Sequence, residues 1–478
     1  MSIITHKIKF SGREYLFLSV CLLLSLIIGL LAIYLNNLFI TLAPALILLS
    51  VLLLVIIFRN PLSGLILLLT YCFFMAILNR EIGQIPFGTG VEIIVILTWL
   101  SVWYNASGFD FKTLNNDLIW LMIAWFGISV VEIINPSGAS PQGWLQEIRS
   151  TALAPLLITP LAILLINSKR RLNLFLVLIL TFSFLASLNG LKQLFIGLSP
   201  GEQAFLAAGG AETHVINGQL RIFSFYSDAS QFGPIQALIG LIALILAVGL
   251  NGWIKKFLLF SLAILSFYGM IISGTRGAFF VVAIGIIVAI VLSRNLKVII
   301  FGGGLSLGAF AFLKYTYIGN ANYNIYRLRS SLDPSDASLN VRIINQQKLS
   351  DYLATKPFGE GLGVIGHWGR EYNPGHYLST IAPDSYWVKV WAMYGIVGFV
   401  IFFCVWMFIL GKCAGMIWKV NDKDLRTKLI ALYAGVVGIF VCSYGNEVMN
   451  AMPALIVFQM SLGIIYIMCN KYFQKNKQ

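Results

Sequence analysis

QFGPIQALIGLIALILAVGLNGWIKKFLLFSLAILSFYGMIISGTRGAFFVVAIGIIVAIVLSRNLK, residues 231–297, holds three apolar runs at 231–250, 254–272 and 277–293, parted by two short polar turns. A helix rises about 1.5 Å per residue, so runs of roughly 17–25 residues match the hydrocarbon thickness of a bilayer. The turns differ in charge. Lys255 and Lys256 follow the first run, the turn Ser273–Ala278 holds one arginine, and Arg294 and Lys297 close the third. Such alternation reads as helices that thread back and forth through a membrane.

The same pattern extends in both directions. Runs of spanning length recur at 14–35, 38–58, 61–79, 88–105, 116–134, 150–167 and 172–189, then after the quoted stretch at 298–314, 384–411, 428–445 and 451–470. Hydrophobic residues make up 58% of the 478 and charged residues only 11%, against about a quarter in soluble proteins, so lipid must be the solvent. The expected fold class is an all-α polytopic membrane protein of about fourteen transmembrane helices, both termini cytoplasmic, with two long exoplasmic loops that carry short helices. Its expected parts are N-terminal helices over 1–188, a first exoplasmic loop at 189–230, central helices over 231–314, a large exoplasmic loop at 315–383 and C-terminal helices over 384–478. The first run follows Lys7, Lys9 and Arg13 and is too long for a cleaved signal peptide, so it reads as an uncleaved first helix.

Orientation follows from the basic residues. With the N-terminus inside, the cytoplasmic segments hold 20 of the 33 Lys and Arg but 5 of the 19 acids. Nearly the whole formal charge of +14 is thereby topological, and no nucleic-acid partner is needed to explain it. The six cysteines are scattered and form no C-x-x-C pair, which argues against a disulfide framework or a zinc site. Exoplasmic chemistry runs without ATP or nucleotide sugars, so a glycosyl donor there must arrive already activated, for instance on a lipid diphosphate.

Three features could carry chemistry. Arg276 in Ser273–Ala278 opens a membrane helix, where a cation is unfavourable unless an anion joins it; helix amides plus a guanidinium make a phosphate site. The plainer reading is an interfacial arginine that snorkels. Next, Arg221 to Gly233 combines a cation with Tyr226, Asp228, Gln231, hydroxyls and aromatic rings, a mix suited to a phosphate and a sugar. Asp228 or Ser230 reads equally as a helix N-cap. Third, the large loop holds Arg327, Arg329, Arg342 and Arg370, tyrosines including Tyr377, and His367 and His376. Arg342 lies in an amphipathic helix that runs to about Thr355, before the turn-rich Lys356-Pro-Phe-Gly-Glu-Gly-Leu-Gly363. A neutral histidine beside a diphosphate can deprotonate a hydroxyl, although a loop histidine is more simply a surface residue. There is no exoplasmic D-x-D or H-x-x-x-H pair to suggest a metal, and no Walker P-loop.

With these features in hand, the chain resembles the O-antigen ligase/Wzy-type O-antigen polymerase superfamily of bacterial envelope glycan enzymes. The resemblance rests on Ser273–Ala278 around Arg276, on the Arg342 helix followed by Lys356–Gly363, and on Pro383-Asp384-Ser385-Tyr386-Trp387 with Tyr394–Gly398. It departs from the family where many members have the catalytic histidine, since Pro383-Asp384 stands there; His376, His367 or Asp384 would then serve. The resemblance implies an inverting, metal-independent glycosyltransferase without cofactors, placed in the bacterial inner membrane with its site facing out. The donor would be an undecaprenyl-diphosphate-linked glycan whose diphosphate lies on Arg221, Arg276 and Arg342. Tyr226, Asp228, Gln231, Tyr377 and Tyr386 would contact glycan. The acceptor would be another glycan or lipid A–core, among membrane lipids, with a chain-length regulator as a further candidate partner. A lipid-linked oligosaccharide flippase, or a peptidoglycan polymerase relying on Asp228 or Asp384, remains as an alternative. The topology has a direct test. In a cysteine-free background, a membrane-impermeant maleimide added to intact cells should label Asn320→Cys and spare Asn421→Cys until the membrane is opened; the reverse pattern inverts the topology.

Overall fold

Every apolar run from 38 onward is a helix in the computed structural model, which describes residues 38–83, 87–137, 139–216, 218–320, 323–330, 332–333, 337–383 and 385–476, with isolated positions between 12 and 30. In chain order these helices are α1 (Leu38–Arg59), α2 (Pro61–Ile82), α3 (Gly88–Tyr104), α4 (Asp117–Val131), α5 (Pro141–Leu165), α6 (Lys169–Phe195), α7 (Ala229–Gly249), α8 (Trp253–Ile272), α9 (Gly277–Ser293), α10 (Leu296–Tyr315), α11 (Ala337–Leu353, in the large loop), α12 (Tyr386–Trp418), α13 (Lys423–Cys442) and α14 (Ala454–Lys475). Nine helices among the described residues are long and apolar enough to cross a membrane, and Ile47–Arg59, Gly88–Tyr104 and Gly277–Ser293 are shorter apolar stretches. The chain is a multi-pass α-helical membrane protein. The run at 14–35 lies almost wholly outside the described residues.

Side-chain caps set several helix starts. Asp228 Oδ1 accepts from Gln231 N–H (3.0 Å), Ser385 Oγ from Val388 N–H (3.3 Å) and Asp422 Oδ1 from Leu425 N–H (3.0 Å), each satisfying an amide that the first turn leaves open. Several helices overrun their apolar limits, and two do so with turns near the candidate loops. α5 begins at Pro141, capped by Ser140, well before the run at 150–167, and α6 continues to Phe195 past residue 189. In both cases the added turns are polar: Gln142, Gln146, Glu147 and Arg149 in one, Asn189, Lys192 and Gln193 in the other. Hydropathy marks where lipid ends; the helix does not have to stop there. The connection after α6 is compact, with short helices Pro200–Phe205 and Ala211–His214 and a two-residue antiparallel ladder, Val215–Ile216 with Gln219–Leu220.

Contacts divide the chain into two units, residues 1–64 with 96–108 and residues 65–95 with 109–478. In the first, Ser101 Oγ–H donates to Ile57 O (2.6 Å) and Asn105 Nδ2–H to Phe58 O (2.8 Å). In the second, α7 packs along α8, α9 and α13, while α14 lies against α5 and α13. Small residues let these helices close: Leu238 fills the space that a Cβ would need at Gly435, and Leu241 does so at Gly285. Segments that the basic residues assign to one side also meet at one end of this unit. Lys169 pairs with Asp422, Lys412 with Asp117, and Arg294 Nη1–H donates to Trp418 O (2.9 Å).

The run at 384–411 is not one continuous helix. α12 breaks at Gly395 (φ 65°, ψ −171°), leaving the last carbonyls of its first half without helical partners. Glu360 N–H donates to Ala392 O (3.1 Å), Gly361 N–H to Met393 O (2.9 Å), and Val397 N–H to Pro357 O (3.1 Å). The Lys356–Gly363 turn is therefore docked into the break. An added Cβ at Gly395 would stand 2.1 Å from Pro357 O. Gly395→Ala should thus cost at least about 1–3 kcal/mol, from a backbone region open essentially to glycine alone plus that clash. Thermal unfolding in detergent should show a clearly lowered midpoint; an unchanged midpoint would contradict the docked break.

Candidate functional site

The turn from α8 to α9 is short and heavily pinned. Gly274 sits at φ 59°, Ser273 Oγ–H donates to Met270 O (2.6 Å), and Thr275 N–H donates back to Ser273 Oγ (3.1 Å). Two arginines grip its carbonyls from outside. Arg221 donates through Nε to Ser273 O (3.2 Å), through Nη2 to Thr275 Oγ1 (3.0 Å) and through Nη1 to Thr213 O (2.9 Å); Arg327 Nε donates to Gly274 O (2.7 Å). Arg276 follows, half-buried, at the N-cap position of α9. Arg221 and Arg276 are thus brought together, with Arg327 added.

A second turn, residues 443–453 between α13 and α14, faces the first. Arg342 Nη2–H donates to Gly445 O (2.9 Å), and the buried Nε of Arg342 has no hydrogen-bond partner among the described residues. Asn446 Nδ2 occupies the space beside Gly277, 2.5 Å from where a Cβ would stand. Gln231 Nε2–H donates to Glu447 O (2.8 Å), and Tyr386 N–H to Ser443 O (2.9 Å). Arg342 thereby joins the Arg276 neighbourhood through this turn. Lys389 Nζ lies 2.9 Å from Glu447 Oε2 and 3.0 Å from Glu147 Oε2. The sequence reading passes over this turn, Lys389 and Glu147. A charged residue inside an apolar run was the signal available for Lys389.

The remaining candidates fall in different settings. His376 Nδ1 accepts from Leu378 N–H (3.2 Å) and Nε2 faces Glu360 Oε2 (3.3 Å), which assigns the proton to Nε2. Burial first, then the Lys356 ammonium, lower the His376 pKa. Lys356 also pairs with Glu360. His367 is exposed, within 3.3 Å of Glu371 on the same short helix, and Tyr377 is half-exposed, its ring tilted against Tyr352 (centroids 4.6 Å apart). Tyr226 is buried between Phe73 and Phe232, its hydroxyl without a hydrogen-bond partner among the described residues, and Tyr386 is buried edge-on to Phe402. Both rings pack inside the protein in this structure. Asp228 caps α7, and Asp384 lies outside the described residues. Among the described residues, no group of three or more His, Cys, Asp or Glu is placed to hold a metal. A cavity of about 30 Å³, lined largely by apolar side chains with Thr151, Asn450 and Gln459, has room for about two waters.

Residues 261–403 match the O-antigen ligase family model. The match supports the O-antigen ligase/polymerase superfamily as the relationship read from the motifs at 273–278, 342–363 and 383–398, all of which it spans. No curated protein matches the chain. The chain is therefore read as a ligase/polymerase-type membrane enzyme. Within it, the O-antigen ligase segment supplies Arg276, Arg327, Arg342 and Lys389, while Arg221, Glu147 and Glu447 approach from outside that segment.

One further histidine supports the site from below Arg221. His214 is 3% exposed, its Nε2 accepts from Ala229 N–H (3.2 Å), and its Nδ1–H lies 2.9 Å from Gly210 O. Its carbonyl accepts from Arg221 N–H (2.7 Å). Burial first, then Arg221 and Arg80, lower its pKa against the opposing pull of Gly210 O and Asp228. As pH falls the unfolded chain takes this proton first, so stability declines from about pH 6.5 downward. His214→Gln keeps an acceptor for Ala229 without that titration. Its melting midpoint should change less between pH 7 and 5 than that of the wild type; equal slopes would show that His214 is not the titrating group.

Proposed function

We propose that the protein is an integral-membrane glycosyltransferase that transfers or polymerises an undecaprenyl-diphosphate-linked glycan, such as O-antigen, capsule or exopolysaccharide, at the exoplasmic face of the bacterial inner membrane. The observation that carries the reading is the gathering of Arg221, Arg276 and Arg342 around the N-terminus of α9, built by the 273–278 and 443–447 turns. A cation cluster on a helix N-terminus is repulsive by itself and favourable around a diphosphate.

In an inverting transfer, the acceptor oxygen attacks the anomeric carbon while the bond to the diphosphate breaks. Negative charge grows on the leaving group, and guanidiniums already fixed in place stabilise it without reorganisation, which is the neutralisation that a divalent metal supplies elsewhere. Arg221 is held through three of its guanidinium nitrogens, so it sets the position of the leaving group. Asp228, Gln231 and Tyr377 are the nearer candidates for glycan contact; Tyr226 and Tyr386 would act through packing. His376, His367 and Asp384 are the candidate bases that the family pattern offers. The acceptor, whether a second lipid-linked glycan or lipid A–core, is a substrate alongside the donor, and a chain-length regulator would act on the polymerase form.

Purified protein in liposomes, given only undecaprenyl-diphosphate-linked glycan and no added metal, should build a ladder of longer lipid-linked chains if it is a polymerase. If it is a ligase it should modify an added lipid A–core acceptor instead. Arg276→Ala should lower turnover by at least about 100-fold, the scale of losing one preorganised charge at the leaving group. Substrate that crosses the bilayer with neither product formed would favour a flippase and overturn the transferase reading.

A further inference from the structure

Lys389 stands in the first half of α12, 5% exposed, and faces two carboxylates where one would balance its charge. Glu147 of α5 is wholly buried against it. Glu447 lies on the other side, on the 443–453 turn, with its side chain 31% exposed. With all three ionised the cluster carries a net charge of −1. A buried ion pair needs only two members, and burying a second carboxylate adds desolvation cost without adding a second cation.

The surroundings of Glu447 suit a substrate. Gln231 is 4% exposed; its Nε2–H holds Glu447 O, while its Oε1 has no hydrogen-bond partner among the described residues. An orphaned acceptor at that depth costs free energy unless a donor such as a hydroxyl fills it. The unpartnered Nε of Arg342 stands two residues along the same turn, at Gly445. Next to Glu447 Oε1 the chain is bare glycine: a Cβ at Gly366 would be 3.7 Å from that oxygen and 3.7 Å from Lys389 Nζ. Both ring nitrogens of His376 are engaged, and His367 points into solvent.

We propose that Glu447 is the general base that accepts the proton of the acceptor sugar hydroxyl, with Lys389 and Glu147 as positioning residues. The proposal rests on the transferase reading above. In the step, the acceptor O–H bond breaks and its proton passes to Glu447 Oε1. The oxygen's electron pair forms the new bond to the anomeric carbon, and the bond from that carbon to the diphosphate breaks with its pair going to the leaving group. The cluster passes from −1 to neutral, so the second carboxylate gains its place by taking up a proton. Among the described residues, the charged groups facing Glu447 are Lys389 from α12 and Glu147 from α5, with Arg342 of α11 at the neighbouring Gly445.

Steady-state turnover of the reconstituted protein tests this, with Glu447→Gln, Glu447→Asp and His376→Asn compared with wild type across pH. Expected are a kcat at least about 100-fold lower in Glu447→Gln with donor KM unchanged, and an acidic limb of the kcat profile that moves in Glu447→Asp but stays in His376→Asn. If Glu447→Gln does not fold, the two pH profiles decide alone. An active wild type with Glu447→Gln within tenfold of it, or with the limb moved only in His376→Asn, overturns the proposal and leaves the transferase reading standing. An inactive wild type overturns that reading and this proposal with it.

Discussion

Backbone polar groups inside a bilayer have no water to turn to, and the break of α12 at Gly395 meets that constraint with a loop. The carbonyls of Ala392 and Met393 accept from the amides of Glu360 and Gly361, and Pro357 O accepts from Val397 N–H. A broken membrane helix is tolerated where protein resupplies its hydrogen bonds, and here the resupply fixes the large loop. Gly363 continues from that dock into close contact with Gly143 on α5, where a Cβ would lie 2.3 Å from backbone, and Asn373 ties Gly363 O to Ser140 N–H. The loop that carries α11 and both loop histidines is thus anchored at two helices before its side chains are considered.

That anchoring explains why the arginines converge. Arg342 reaches Gly445 from α11, Arg327 reaches Gly274 from the helix Tyr323–Ser330, and Arg221 reaches Ser273 and Thr275 from the preceding connection. Each guanidinium holds a backbone carbonyl or hydroxyl as well as carrying charge, so the turn and the cations position one another. Cations in water repel weakly; beside a low-dielectric bundle their repulsion is stronger, and it is offset by the carbonyl dipoles they hold. The Lys389 cluster meets the same 443–453 turn at Glu447 and, with its three groups ionised, has the opposite net charge. Leaving-group stabilisation and proton acceptance would then be served by two adjacent sites of opposite sign.

Much of this was legible in residue order. Arg276 stood out because a charge interrupts two apolar runs. Asp228 was readable as a cap, since a helix start needs an acceptor there. Lys389, Glu147 and Glu447 were not legible as a group: a charge inside an apolar run marks Lys389, but the three lie on separate elements that only the fold brings together. His214 was hidden for a similar reason: its hydrogen bonds run to Gly210 and Ala229, and only the folded connection places them.

The sequence by itself determined the solvent and the helices, because lipid imposes a length and a polarity on every spanning run, one run at a time. Tertiary structure alone decided where α12 breaks, how far α5 and α6 extend beyond their apolar limits, that Tyr226 and Tyr386 face the interior, and that a lysine is shared by two glutamates. Those outcomes depend on which surfaces meet across the bundle, and hydropathy, which is a property of local windows, carries no information about partners that distant.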